Sequence, residues 1–166
     1  MSWALHRVDD RLIHGQVVIA WGHRLRPRRI WAVDDASAAS DWEREQLRSA
    51  APEVDVHVVG VSEAAAAHAA EAAADGAAFL LVRDLATALA LVEAGADVPA
   101  FNIGGLHYAP GKTKVHEYVY LDDADRTAAR ALLARGVRLD VQDVPASRAQ
   151  PLAALDPSLA QPAGGR

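Results

Sequence analysis

The chain has no cysteine among its 166 residues, which excludes a disulfide scaffold, thiol nucleophiles and cysteine-ligated metals. Lysine is nearly absent too, standing only at Lys112 and Lys114, so arginine supplies almost all the positive charge. With a formal net charge of −5 the chain lacks a broad basic footprint, and neither nucleic acid nor anionic lipid is expected as a partner. No stretch reaches the roughly 18 apolar residues of a membrane span, and the first residues lack the apolar run of a signal peptide. The expected location is cytoplasmic. No two histidines stand at i, i+4 and no HExxH pattern occurs, so no metal is expected. No Walker lysine or GxGxxG follows a strand, which argues against nucleotide binding.

What is present is an ordinary globular composition, 51% apolar and 23% charged, of a length that suits one domain. Short apolar runs at residues 3–8, 29–33, 55–59, 77–82, 100–103, 117–121 and 137–141 read as strands. They alternate with helical patterns at 16–25, 42–50, 63–74, 87–93 and 124–135. Such alternation gives an α/β fold, a mainly parallel sheet with helices on both faces. Pro145, Pro151, Pro157 and Pro162, with Gly164 and Gly165, then predict that the domain spans 1–147 and that 148–166 forms a flexible Pro/Ala-rich tail.

In an open parallel sheet, ligand chemistry gathers at the carboxyl ends of the strands. The first expected strand runs out into Asp9-Asp10-Arg11-Leu12-Ile13-His14-Gly15-Gln16, directly before a segment in which Val17, Val18, Trp21 and Leu25 have helical spacing. His14 and Gly15 therefore fall at a helix amino terminus, where free N–H groups and the positive end of the dipole favour an anion. Neutral imidazole is a good nucleophile toward phosphorus. Phosphoryl transfer needs positive charge around the equatorial oxygens, which Arg11 can supply, with Arg7 as a second candidate. Asp9 or Asp10 can take a hydrogen bond from one ring nitrogen and leave the other free. Asp34 and Asp35 close the second strand. Gly104 and Gly105 suit a backbone turn better than a phosphate cradle. The arginines at 24, 26, 28 and 29 read as a solvated surface cluster, with docking of an acidic partner protein as the alternative.

The segment Arg7-Val-Asp-Asp-Arg-Leu-Ile-His-Gly-Gln16 resembles the active-site signature of the IIB components of the mannose, fructose and sorbose class of the bacterial sugar phosphotransferase system. Further similarity follows in order at Trp21, Asp35, Ala51-Pro52, Leu91 to Gly95, Asn102-Ile-Gly-Gly-Leu-His-Tyr108, Gly136 and Val144-Pro145. Asp34 stands where many relatives carry asparagine. The resemblance implies a three-layer, doubly wound sheet. It implies catalytic roles for His14, as an Nδ1 phosphohistidine, and for Arg11. Arg7, Asp9, Asp10, Gly15, Gln16 and Asp35 are the expected phosphate-binding or orienting residues. The implied partners are a IIA phosphocarrier, the membrane components IIC and IID, and a hexose as acceptor, with no cofactor and with a homodimer left open. A regulatory phosphocarrier without sugar transport is the alternative, because phosphorylation alone adds about −1.5 to −2 charge at this rim.

Overall fold

The computed structural model describes residues 2–160. Strands β1 (Trp3–Asp9), β2 (Arg29–Val33), β3 (Asp55–Val59), β4 (Ala78–Val82), β5 (Ala100–Gly105), β8 (Arg138–Val141) and β9 (Gln150–Pro151) form one sheet in the order β3-β2-β4-β1-β5-β8-β9. All neighbours are parallel except β8 and β9. β1 lies near the middle, paired on one side with β4 and on the other with β5. β4, Ala-Phe-Leu-Leu-Val, is buried at every position, as a parallel strand covered on both faces must be.

The chain leaves β1 in one direction, toward β2 and β3, and after β3 it turns the other way, toward β4, β5 and β8. Right-handed crossovers in opposite directions place helices on opposite faces, and the core divides accordingly. One apolar cluster joins Leu5, Ile30, Val56, Phe79 and Leu81 to Leu12, Val17 and Trp21. The π-helical segment Val17–Trp21, α1 (Gly22–Leu25) and helix α3 (Asp41–Ala50) cover that face. The other cluster joins Val8, Val33, Leu80, Val82 and Ile103 to α4 (Val61–Ala72), α5 (Leu85–Glu93) and α6 (Asp123–Ala134). Helix starts follow from short acceptor side chains. Asp34 caps the brief α2 (Asp35–Ala38), Ser40 caps α3 and Asp84 caps α5, while Asp122 and Asp125 form a capping box on α6. The doubly wound α/β architecture expected from the sequence is present.

Two expectations fail. The run 117–121 does not join the main sheet: β7 (Val119–Leu121) pairs antiparallel with β6 (Thr113–His116) in a separate hairpin. Val119 and Leu121 are buried while Tyr120 is not, and that alternation is the same in a hairpin as at a sheet edge. The segment expected to be a flexible tail is also folded through residue 160. Gln150 and Pro151 pair with Val141 and Asp140, Leu152 and Leu159 are buried, and Arg126 Nε donates to Asp156 Oδ2 at 2.7 Å. Proline without an N–H is acceptable on an edge strand, so Pro151 caps the sheet where the sequence suggested a break. Pro162 and the closing glycines lie outside the described residues.

Candidate functional site

β1 and β5 are neighbours whose exits run to opposite sides, which opens a crevice at their carboxyl ends. Asp9, the last residue of β1, is fully buried there. Its Oδ1 accepts from the Arg11 backbone N (3.1 Å) and Nε (3.0 Å), and its Oδ2 from Arg11 Nη2 (3.0 Å), His14 Nε2 (2.9 Å) and Arg7 Nη2 (3.4 Å). Burial alone would raise this carboxyl, but the bonds from His14 and Arg11 hold it well below the usual carboxylate range. An ionised carboxylate only accepts. In the neutral imidazole, Nε2 of His14 therefore carries the proton and Nδ1 holds a lone pair.

The loop is fixed from below. Leu12 adopts a left-handed conformation, φ 56°, rare for a branched side chain, and its N–H bonds back to the Asp9 carbonyl at 2.9 Å. This sharp return buries Leu12 and Ile13 in the core and leaves His14 at the surface with a side chain 16% exposed. The His14 carbonyl accepts from Val18 N at 3.0 Å. His14 thus sits at the helix cap, and the N–H groups of Gly15, Gln16 and Val17 precede the first intrahelical bond.

Arg7 is fully buried, so it contacts no incoming group and orients the others. Nη1 donates to Asn102 Oδ1 and, at 3.0 Å, to the Gln142 carbonyl; Nη2 donates to the Asp143 carbonyl (2.9 Å) and Gln16 Oε1 (3.1 Å) as well as to Asp9. Burial pushes this guanidinium down, opposed by the Asp9 charge. The Trp21 ring lies 5.4 Å from it, a cation–π contact. Gly104 and Gly105 are neither turn nor cradle. A Cβ on Gly104 would sit 1.8 Å from Arg7 Nη2, and one on Gly105 would sit 3.2 Å from Arg11 Nη2. Both glycines make room for guanidinium groups.

Of the expected site residues, the structure gathers Arg7, Asp9, Arg11, His14, Gly15 and Gln16, with Gln16 Oε1 also accepting from Arg11 Nη2 at 3.3 Å. Asp10 and Asp35 do other work. Asp10 turns away from His14 and accepts from His107 N and Nδ1, both at 2.7 Å. Asp35 Oδ1 accepts from Val61 N at 2.8 Å, tying the second loop to the start of α4. Asp34 caps α2 and faces Arg83 Nε at 3.5 Å, so its extra charge is countered. The sequence placed Arg83 at this rim without giving it a role; it donates to the Asp10 carbonyl (2.8 Å) and Ser37 Oγ (3.1 Å), while Gln142, which accepts from Asn102 Nδ2 at 3.2 Å, was missed. Arg83 directly follows β4, which ends at the same rim.

The sequence model of the PTS system sorbose subfamily IIB component matches residues 3–161. The chain belongs to this family. As a IIB component it is part of a sugar phosphotransferase system and has a phosphoryl-transfer role there. The sorbose-specific EIIB component of Klebsiella pneumoniae is 36% identical, across 87% of this chain and 88% of that protein. The N-acetylgalactosamine-specific IIB component 1 of Escherichia coli K12 is 32% identical, across 85% and 90%. Of the E. coli mannose-specific EIIAB component, also 36% identical, this IIB chain spans 45%. The crystal structure of the IIBSor domain of the K. pneumoniae sorbose permease superposes with a TM-score of 0.86 at 33% identity, covering 95% of this chain and 98% of that one. No helix among the described residues is long and apolar enough to cross a membrane.

Proposed function

We propose that Nδ1 of His14 accepts a phosphoryl group from a IIA protein and passes it to a hexose held by the membrane components IIC and IID. The chain would then act as a protein-Nπ-phosphohistidine–sugar phosphotransferase component, held at the inner face of the membrane through IIC and IID. The observation that carries this reading is the bond from His14 Nε2 to the buried Asp9. It selects the tautomer whose Nδ1 is nucleophilic and turns the ring's other edge outward. In the charging step the Nδ1 lone pair bonds phosphorus while the donor's P–N bond breaks, so no proton need move. The transferring oxygens meet Arg11, whose Nη1 has no partner among the described residues, and the free N–H groups of the helix start.

The test incubates the purified protein with phosphoenolpyruvate, the general phosphotransferase proteins and a cognate IIA, then assigns the phosphorylated nitrogen by ³¹P NMR. Label on Nδ1 of His14 is expected. Label on another residue, or undiminished labelling of His14→Ala, refutes the reading. Asp9→Asn frees the ring to adopt the other tautomer and should slow charging roughly 10- to 100-fold.

A further inference from the structure

The crevice holds a second carboxylate–imidazole pair. Asp10 leaves β1 beside Asp9 but points toward the β5 exit, where it takes both the backbone N–H and the Nδ1–H of His107 at 2.7 Å each. Two bonds into one carboxylate fix the ring and its tautomer, and Nε2 is left as an acceptor. The His107 side chain is 50% exposed, so this nitrogen is open to an incoming molecule. It also lies close to the His14 site: a methyl group built on Gly105 would touch His107 Cε1 at 3.1 Å, Arg11 Nη2 at 3.2 Å and Asp9 Oδ1 at 3.4 Å. The charged groups facing the ring are Asp10, Asp9 and Arg11 from the first loop. Arg83 holds the Asp10 carbonyl from the β4 exit, and Lys112, farther along the loop after β5, senses the Asp10 charge.

We infer that His107 is the general base for discharge of the phosphoryl group to a hydroxyl acceptor, an assignment that rests on the phosphohistidine reading above. The two half-reactions differ in their protons. Nitrogen-to-nitrogen charging releases none, whereas a hydroxyl that attacks phosphorus must lose one. In discharge the acceptor oxygen bonds phosphorus, the P–Nδ1 bond breaks with its electron pair returning to His14, and the hydroxyl proton passes to Nε2 of His107 and on to solvent. Asp9 cannot take that proton, because it is buried and saturated by Arg7, Arg11 and His14. Asp10 is occupied by His107 itself. An imidazole oriented by a carboxylate is the usual solution for a positioned base, and such bases contribute about 10²- to 10⁴-fold.

The experiment charges wild-type protein and His107→Gln with phosphoenolpyruvate, the general proteins and IIA. Both rates are then followed: charging, and discharge into membrane vesicles carrying the cognate IIC and IID with a panel of hexoses, from pH 5.5 to 8.5. For His107→Gln, discharge should fall about a hundredfold relative to charging, and its rate should lose the acid-side decline of the wild type. Asp10→Asn, which keeps the acceptor for the His107 backbone N–H, should weaken discharge in the same selective way. Equal losses in both half-reactions, or discharge by His107→Gln with the wild-type rate and pH profile, would overturn the assignment. A wild-type protein that takes no label on His14 refutes the underlying reading instead, and that outcome is scored before any discharge is measured.

Discussion

Gly104→Ala is the substitution for which the structure gives the sharpest expectation. The new methyl carbon would lie 1.8 Å from Arg7 Nη2, 1.9 Å from Cζ and 2.5 Å from Nε, so the guanidinium must leave. It has nowhere to go, because it is fully buried and held by Asp9, Gln16, Asn102 and two carbonyls after β8. Overpacking typically costs about 1–3 kcal/mol, and each charge-assisted bond lost adds about 1.5–3 kcal/mol. Even with partial relaxation the total is about 3–5 kcal/mol, which lowers Tm by about 10 °C in a domain of this size. Urea and thermal unfolding followed by far-ultraviolet circular dichroism measure it. Gly15→Ala is the matched contrast: nothing lies within 4 Å of its added carbon, and alanine is favoured in a helix by up to about 1 kcal/mol. If Gly104→Ala unfolds within about 0.5 kcal/mol of wild type, the packing account of Arg7 is wrong.

Two further outcomes concern stability. Nε2 of His6 and of His68 lie 3.0 Å apart, so one ring donates and both cannot be protonated together. Burial, then the His68 charge, lowers His6 to about 3, and burial lowers His68. Below pH 6.5 the unfolded chain therefore binds protons that the folded chain refuses, and stability falls as pH drops toward 3. For His6 the loss at pH 5 is up to about 2 kcal/mol. Urea midpoints at pH 7, 6 and 5 should decline, with a shallower slope in His6→Gln; parallel slopes would contradict this. Leu152→Ala, in the segment that packs after β9, should cost about 2–4 kcal/mol, whereas a change under about 0.5 kcal/mol in the same assay would mean that the segment contributes little.

The strands at 29–33 and 55–59 were legible to the residue, because a parallel strand between two helical layers has no option but a short apolar run. The 117–121 run misled for the same reason: period-two alternation reports burial of one side and says nothing about which strand lies alongside. The prolines after Val144 pointed to an end of regular structure, yet Pro151 is tolerated on an edge strand, Pro157 opens a short 3-10 helix, and the burial of Leu152 and Leu159 holds the segment in place. At the site, the local string from Asp9 to Gln16 was readable because its members lie on one loop. The roles of Asp10 and Arg7 were not. Deciding which of two adjacent aspartates meets His14, and that Arg7 faces inward, requires the β5 exit and the carbonyls of Gln142 and Asp143, which lie 95 or more residues away.

The position of β1 has a consequence for motion. It is a strand without a free edge, its amides tied into β4 on one side and β5 on the other. Backbone groups so placed exchange their hydrogens only when most of the molecule opens, whereas loops exchange through small local excursions. Leu5 to Val8 should therefore belong to the slowest-exchanging class, and Gly15 and Gln16, a few residues on, to the fastest. Gly15 and Gln16 thus stand where a helix start with free N–H groups meets the most persistent strand of the sheet, so a change at these amides leaves the foundation beneath them unmoved.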